Sequence, residues 1–108
     1  MKTIINGKLY DTDTAEHIGG FYKGGTSKSD FNYVEQDIYR TKNGQLFLYS
    51  WGGANTGYAT HYGNSRSEGE SIELLTIEGL SEWLEENSNY LGESKMNNFL
   101  SIIPFPEG

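Results

Sequence analysis

Hydrophobic and polar positions follow two different periods along this 108-residue chain, and the change falls near Thr76. Before it, short β-prone runs are separated by glycine-containing turns. Residues 2–5 and 8–10 flank Asn6-Gly7, a strong two-residue turn signal, and predict an N-terminal hairpin. Residues 33–41 and 45–51 flank a second such turn at Asn43-Gly44 and predict a longer hairpin. On its return strand Leu46, Leu48 and Ser50 share one face, and Phe47, Tyr49 and Trp51 share the other. Neither face is polar, so this strand is expected to be central in a sheet, or covered on both sides. Residues 71–76 read as one more strand.

From Thr76 onward the spacing is that of a helix. Thr76 is a capping residue, and Ile77, Leu80 and Leu84, with Trp83 alongside, form an apolar stripe that runs to about Asn87. Glu78, Glu82, Glu85 and Glu86 fall on the flanks and the opposite face. Glu78 lies in the first turn, where the helix dipole favours a carboxylate; Glu85 and Glu86 lie near the other end, where it does not. Met96, Phe99, Leu100 and Ile103 have the spacing of a second helix, closed by Pro104 and Pro106. Nearer the N-terminus, Asp13 with Glu16 three residues on is a capping-box pattern. It predicts a short helix that packs through Ala15 and Ile18 and stops at Gly19-Gly20. Residues 21–31 read as loop, and residues 52–69 as a long loop of the kind that carries function. The expectation is a single α+β domain over residues 1–108: a small antiparallel sheet of about four to five strands, a short N-terminal helix, one amphipathic acidic helix and a second helix at the C-terminal end.

Composition narrows the function. Eight Tyr, five Phe and two Trp argue for an ordered, aromatic core in a chain with few aliphatics. The absence of cysteine excludes disulfides and thiolate metal sites. No apolar run has the length of a membrane span, and the opening MKTIINGKLY lacks the apolar stretch of a leader, so a cytoplasmic protein is expected. The net charge of −7 is uneven: residues 68–108 hold nine Glu and only Lys95, while residues 1–67 hold seven Lys or Arg and six Asp or Glu. No positive footprint for direct nucleic-acid binding is present. An acidic face is solubilising, and it also suits a partner with a basic surface.

Candidate chemistry is sparse. His17 and His61 have no ligand-like spacing, and Asp11 and Asp13 fit a cap better than a cation loop, so no metal and no cofactor are expected. Gly52-Gly53-Ala54 lacks the lysine of a phosphate loop, and its glycines suit a strand leaving a sheet. His61, Tyr62, Arg66 and Glu70 contain the parts of a metal-independent nuclease without a motif that fixes their geometry. Tyr58, Tyr62, Trp51 and Trp83 are candidate interface anchors, with Tyr58 and Tyr62 expected exposed and Trp83 buried.

The stretches IINGKLYDTDTA and DFNYVEQDIYRTKNGQLFLYSWGGANTGYA, with Trp83 in an acidic helix, resemble a group of small proteins carried by phages and plasmids of Gram-positive bacteria. The likeness covers about the first 85 residues and not the tail from Asn87. Some proteins with this kind of start are similar to type II-A anti-CRISPR proteins, which inhibit Cas9. The resemblance implies an anti-defence role by binding, with guide-RNA loading or DNA engagement disrupted; it transfers no active-site residues. Cas9 holds its heteroduplex in a positively charged channel, which an acidic protein can occupy as a nucleic-acid mimic. The expected contact set is Glu78, Glu82, Glu85 and Glu86 with Tyr58, His61 and Tyr62, and no enzymatic activity is expected. The alternatives are a small ribonuclease that trims guide RNA through His61 and Arg66, and an interaction module of a mobile element with another target. A homodimer through a sheet edge is also compatible with the pattern.

Overall fold

The computed structural model describes residues 1–63 and 65–108. Both Asn-Gly hairpins form. β1 (Lys2–Ile5) and β2 (Lys8–Asp11) pair around Asn6-Gly7. β4 (Val34–Arg40) and β5 (Leu46–Gly52) pair in continuous register from Val34 opposite Gly52 to Arg40 opposite Leu46. The main sheet is antiparallel, with β3 (Glu16–Lys23) and β8 (Gly69–Leu75) at its edges, in the order β3-β4-β5-β8. β6 (Thr60–Tyr62) and β7 (Ser65–Ser67) pair with each other as a small separate hairpin. Two helices follow, α1 (Ile77–Glu86) and α2 (Ser88–Ile102), which gives an α+β fold. Among the described residues no helix is long and apolar enough to cross a membrane.

β5 is covered on both sides, as its two apolar faces require. Leu46 and Leu48 join Ile18, Phe21 and Ile38 under Leu80, Trp83, Leu84, Leu91, Phe99 and Ile103 from the helices. On the reverse side Phe47 is fully buried between Tyr39, stacked at 5.3 Å, and Tyr10 of β2, edge-on at 5.7 Å. The aromatic content of the chain is thus largely structural.

The short N-terminal helix does not form. Its capping chemistry is real but local: Asp11 accepts from the amide of Asp13 through its side chain and from Thr14 and Ala15 through its carbonyl, which makes a turn. Residues 16–23 then run as β3. A helix of two turns gains few internal bonds, whereas as a strand this segment pairs along all of β4 and buries Ile18 and Phe21. Gly19 and Gly20 are therefore no helix stop. The Phe99 ring lies against Gly19, and a Cβ on Gly20 would collide with the Gln36 carbonyl and the Asp37 carboxylate. Phe21, Tyr22 and Lys23, read as loop from the pattern, belong to the same strand.

α1 starts where Thr76 caps it, with the Thr76 hydroxyl accepting from the Gly79 amide at 3.0 Å. α2 is broken near its start by Gly92, whose φ of 73° is a left-handed value that disfavours any side chain. Beyond this break Phe99 packs into the core, while Leu100 stays 45% exposed.

Candidate functional site

The acidic helix is the feature that the sequence places best. With about 100° of turn per residue, Glu78, Glu82, Glu85 and Glu86 fall within an arc of about 100° on α1. Leu80, Trp83 and Leu84 take the opposite side and are buried. All four glutamates are exposed. The one ion pair between a Lys or Arg and a carboxylate among the described residues is Arg40 with Glu16 at 2.8 Å, and His17 hydrogen-bonds Asp37 at 2.9 Å, so none of the four is neutralised by a Lys or Arg there. Ile77, expected in the buried stripe, is 49% exposed instead, because it stands at the first position of the helix beside the edge strand β8.

Besides the apolar contacts of Leu80, Trp83 and Leu84, a polar link ties α1 to the sheet. The Trp83 indole N–H donates to Gln36 Oε1 at 2.9 Å. Gln36 Nε2 in turn donates to the Ser50 hydroxyl at 3.1 Å and the Tyr58 hydroxyl at 2.8 Å. Gln36 is buried on β4, on the face of Ile38, and every polar atom of its amide is thereby engaged. The period-2 alternation of β4 does carry a signal for it: Gln36 falls on the core side, where a polar side chain needs partners.

This link corrects the expectation for Tyr58. It is not an exposed anchor but half-buried, with its hydroxyl occupied by Gln36 and its amide donating to the Thr56 hydroxyl. The described part of residues 52–69 also holds strands that its composition does not predict: β6, β7 and the start of β8. His61 and Tyr62 sit on β6, both exposed, Tyr62 at 75%. The structure therefore unites the four glutamates on one helix, joins Tyr58 to that helix through Gln36, and carries His61 and Tyr62 on a separate hairpin. His61 stands opposite Arg66 in the β6–β7 register. Glu70, the third part of the nuclease reading, lies on β8 with its carboxylate accepting from the Tyr49 hydroxyl at 2.6 Å.

Comparison of the chain with protein-family models, with curated proteins and with solved structures gave no match. Geometry and charge therefore carry the functional reading.

A second group of carboxylates lies on the sheet face away from the helices. Glu35, Trp51 and Glu70 are neighbours across three strands, and Asp37 follows in the next row beside Tyr49. Tyr33 donates to Glu35 at 2.8 Å and packs edge-on to Trp51, over which Lys28 Nζ sits at 5.0 Å. Burial pushes the Asp37 carboxyl above its ordinary value, the neighbouring Glu35 adds to this, and the hydrogen bond from His17 opposes it. Burial likewise raises Tyr33 and Tyr49, each reinforced by its carboxylate partner, so both phenols stay protonated hydrogen-bond donors. Every member of this group has an internal partner in Tyr, His or Lys, whereas among the described residues the glutamates of α1 have none. Among the described residues no cluster of His, Cys, Asp and Glu has the arrangement of a metal site.

Proposed function

We propose that this protein is a stoichiometric inhibitor acting in the cytoplasm of a bacterial host, docking the acidic face of α1 onto a positively charged, nucleic-acid-binding surface of a defence nuclease. Cas9 is the target that the sequence resemblance implies. The observation that supports this reading is the one-sided array of Glu78, Glu82, Glu85 and Glu86, without an ion-pair partner among the described residues, on a helix held to the sheet by its buried apolar side and the Trp83–Gln36 bond. Such an array favours association with cationic surfaces and steers the encounter.

The test is charge reversal at Glu82, Glu85 and Glu86, each to Lys. These side chains are exposed on the helix face away from the core, so the thermal midpoint should change little. Opposing like charges at an interface costs several kcal/mol, so affinity for purified Cas9, with or without guide RNA, should fall by at least about tenfold. Unchanged inhibition by the triple variant would refute the acidic-face mechanism. Pull-downs that never recover a nuclease would instead favour an interaction module with another target.

The pairing of His61 with Arg66 across the small hairpin favours one second reading, a ribonuclease that shortens guide RNA. Labelled guide RNA incubated with the protein alone decides it: cleavage that His61→Ala abolishes supports catalysis, and intact RNA removes it.

A further inference from the structure

Charge on an exposed helix speeds association, but tight binding needs apolar groups that lose water on contact. Tyr58 does not supply them, because its hydroxyl is committed internally. The structure offers a different anchor directly beside the acidic helix. Between α1, α2 and the C-terminal tail runs a groove of about 410 Å³ walled by Leu84, Met96, Leu100 and Phe105, with Ser81 and Glu85 on its α1 rim. The tail enters because α2 ends in an extended residue, Ile103, and Pro104 and Pro106 keep the chain from continuing as helix. Phe105 packs against the core from there, and Leu100 is left 45% exposed.

The rim is one-sided in charge. Glu85 lines the groove, and Glu82 and Glu78 continue its line along α1 over about two turns. Among the described residues no Lys or Arg lines it; Lys95 borders a separate hollow beside β3. Ile77 lies on the groove side of α1 and extends the apolar strip, itself 49% exposed.

We infer that this groove receives an amphipathic helical segment of a partner protein, with an apolar stripe against Leu84, Met96, Leu100 and Phe105 and Lys or Arg facing Glu78, Glu82 and Glu85. This deepens the acidic-face reading and rests on it for the location of the interface. A helix in a groove is held by apolar side chains at i, i+3 or i+4 and i+7, and a methionine wall adapts to their shapes. A second copy of this chain does not fit, since its strongly amphipathic helix, α1, would bring glutamates against Glu85. An acidic helix is excluded by the same repulsion.

The experiment uses the full chain and three synthetic peptides of about 14 residues, near 21 Å as helices. One carries Leu and Lys in amphipathic helical order, one has the same composition scrambled, and one is all Lys. Affinity is read by fluorescence anisotropy at fixed salt. The ordered peptide should bind at least about tenfold tighter than the scrambled one. Leu100→Ser should weaken it by a similar factor, while Leu9→Ser, an exposed apolar site on β2, should leave it unchanged. Equal binding of ordered and scrambled peptides, or indifference to Leu100→Ser, overturns the groove. Amide shift mapping on the unaltered chain tests the same point without variants: shifts centred on Leu84, Met96 and Leu100 support it, and shifts elsewhere overturn it. The nuclease assay remains independent. Peptide binding in the groove without any effect on Cas9 removes the target and keeps the groove, while Cas9 inhibition with no peptide preference does the reverse.

Discussion

Gln36 shows how much one buried side chain decides. Its amide is shared by β5 through Ser50, by the following loop through Tyr58 and by α1 through Trp83. Gln36→Leu keeps the volume roughly constant and strips all three of a partner. Leaving a buried donor unsatisfied costs about 1–3 kcal/mol, and the indole N–H alone meets that condition. Urea denaturation should therefore show a stability loss of at least this size, and 15N-labelled Trp83 should show its indole proton exchanging faster. A variant as stable as the natural chain would mean that water replaces the amide. Asp37 offers a second residue-scale test. Its carboxyl titrates above its unfolded value of about 3.8, so the native state holds the proton more tightly. The stability this provides is present below pH 3.8 and is lost as pH rises through the folded value. Asp37→Asn should flatten that decline. Thermal midpoints of the pair, compared from about pH 3 to about pH 7 in a His17→Gln background that removes the neighbouring imidazole, should diverge with pH. A constant difference would refute the assignment.

At the scale of elements, α1 is the part whose start is written in a single residue. Thr76→Ala removes the acceptor for the Gly79 amide and should cost about 1 kcal/mol, measurable as a lower thermal midpoint with the far-ultraviolet helix signal retained. The glutamates behave differently: Glu85 and Glu86 sit where the helix dipole disfavours them. Their replacement by Gln should raise the midpoint slightly while weakening the partner complex, the sign expected of residues kept for binding. A lowered midpoint would indicate a structural role for them. β3 is the element that local reasoning gets wrong. Asp13 and Glu16 have the spacing of a cap, and Gly19-Gly20 have the composition of a stop. Yet a segment this short takes whichever partner is offered, and β4 offers a full ladder together with a core for Ile18 and Phe21. The hairpins around Asn6-Gly7 and Asn43-Gly44 were legible because turn and strands are contiguous in sequence, so one local signal sets the register.

Over the whole molecule, charge is polarised by chain order and then by folding. β8 and α1 are consecutive, so Glu68, Glu70 and Glu73 lie on or beside the edge strand β8, and the four glutamates that follow lie on the outer face of α1. The opposite edge strand, β3, contributes the Glu16 that pairs with Arg40 and the Lys23 that sits over Tyr90 at 4.9 Å. Association with a basic partner should thus be steered. Its on-rate should fall steeply between about 0.05 M and 0.5 M salt, with a smaller change in off-rate if the groove supplies the anchor. Stopped-flow binding at several ionic strengths measures both. A salt-independent on-rate would show that the acidic face of α1 takes no part in the encounter.

By itself the sequence determined the two long-range trends that need only neighbours along the chain: alternation of period two through β4 and β5, and helical spacing with a cap from Thr76. It also determined the charge imbalance and the exposed face on which α1 carries its glutamates, since that face follows from the buried stripe. Only the tertiary structure decided that residues 16–23 are a strand, that Tyr58 is tied down, and that Leu100 and Phe105 border an open groove. The reason is distance along the chain. Gln36 meets Tyr58 and Trp83 at separations of 22 and 47 residues, and no periodicity within a segment encodes which distant segment will lie across from it.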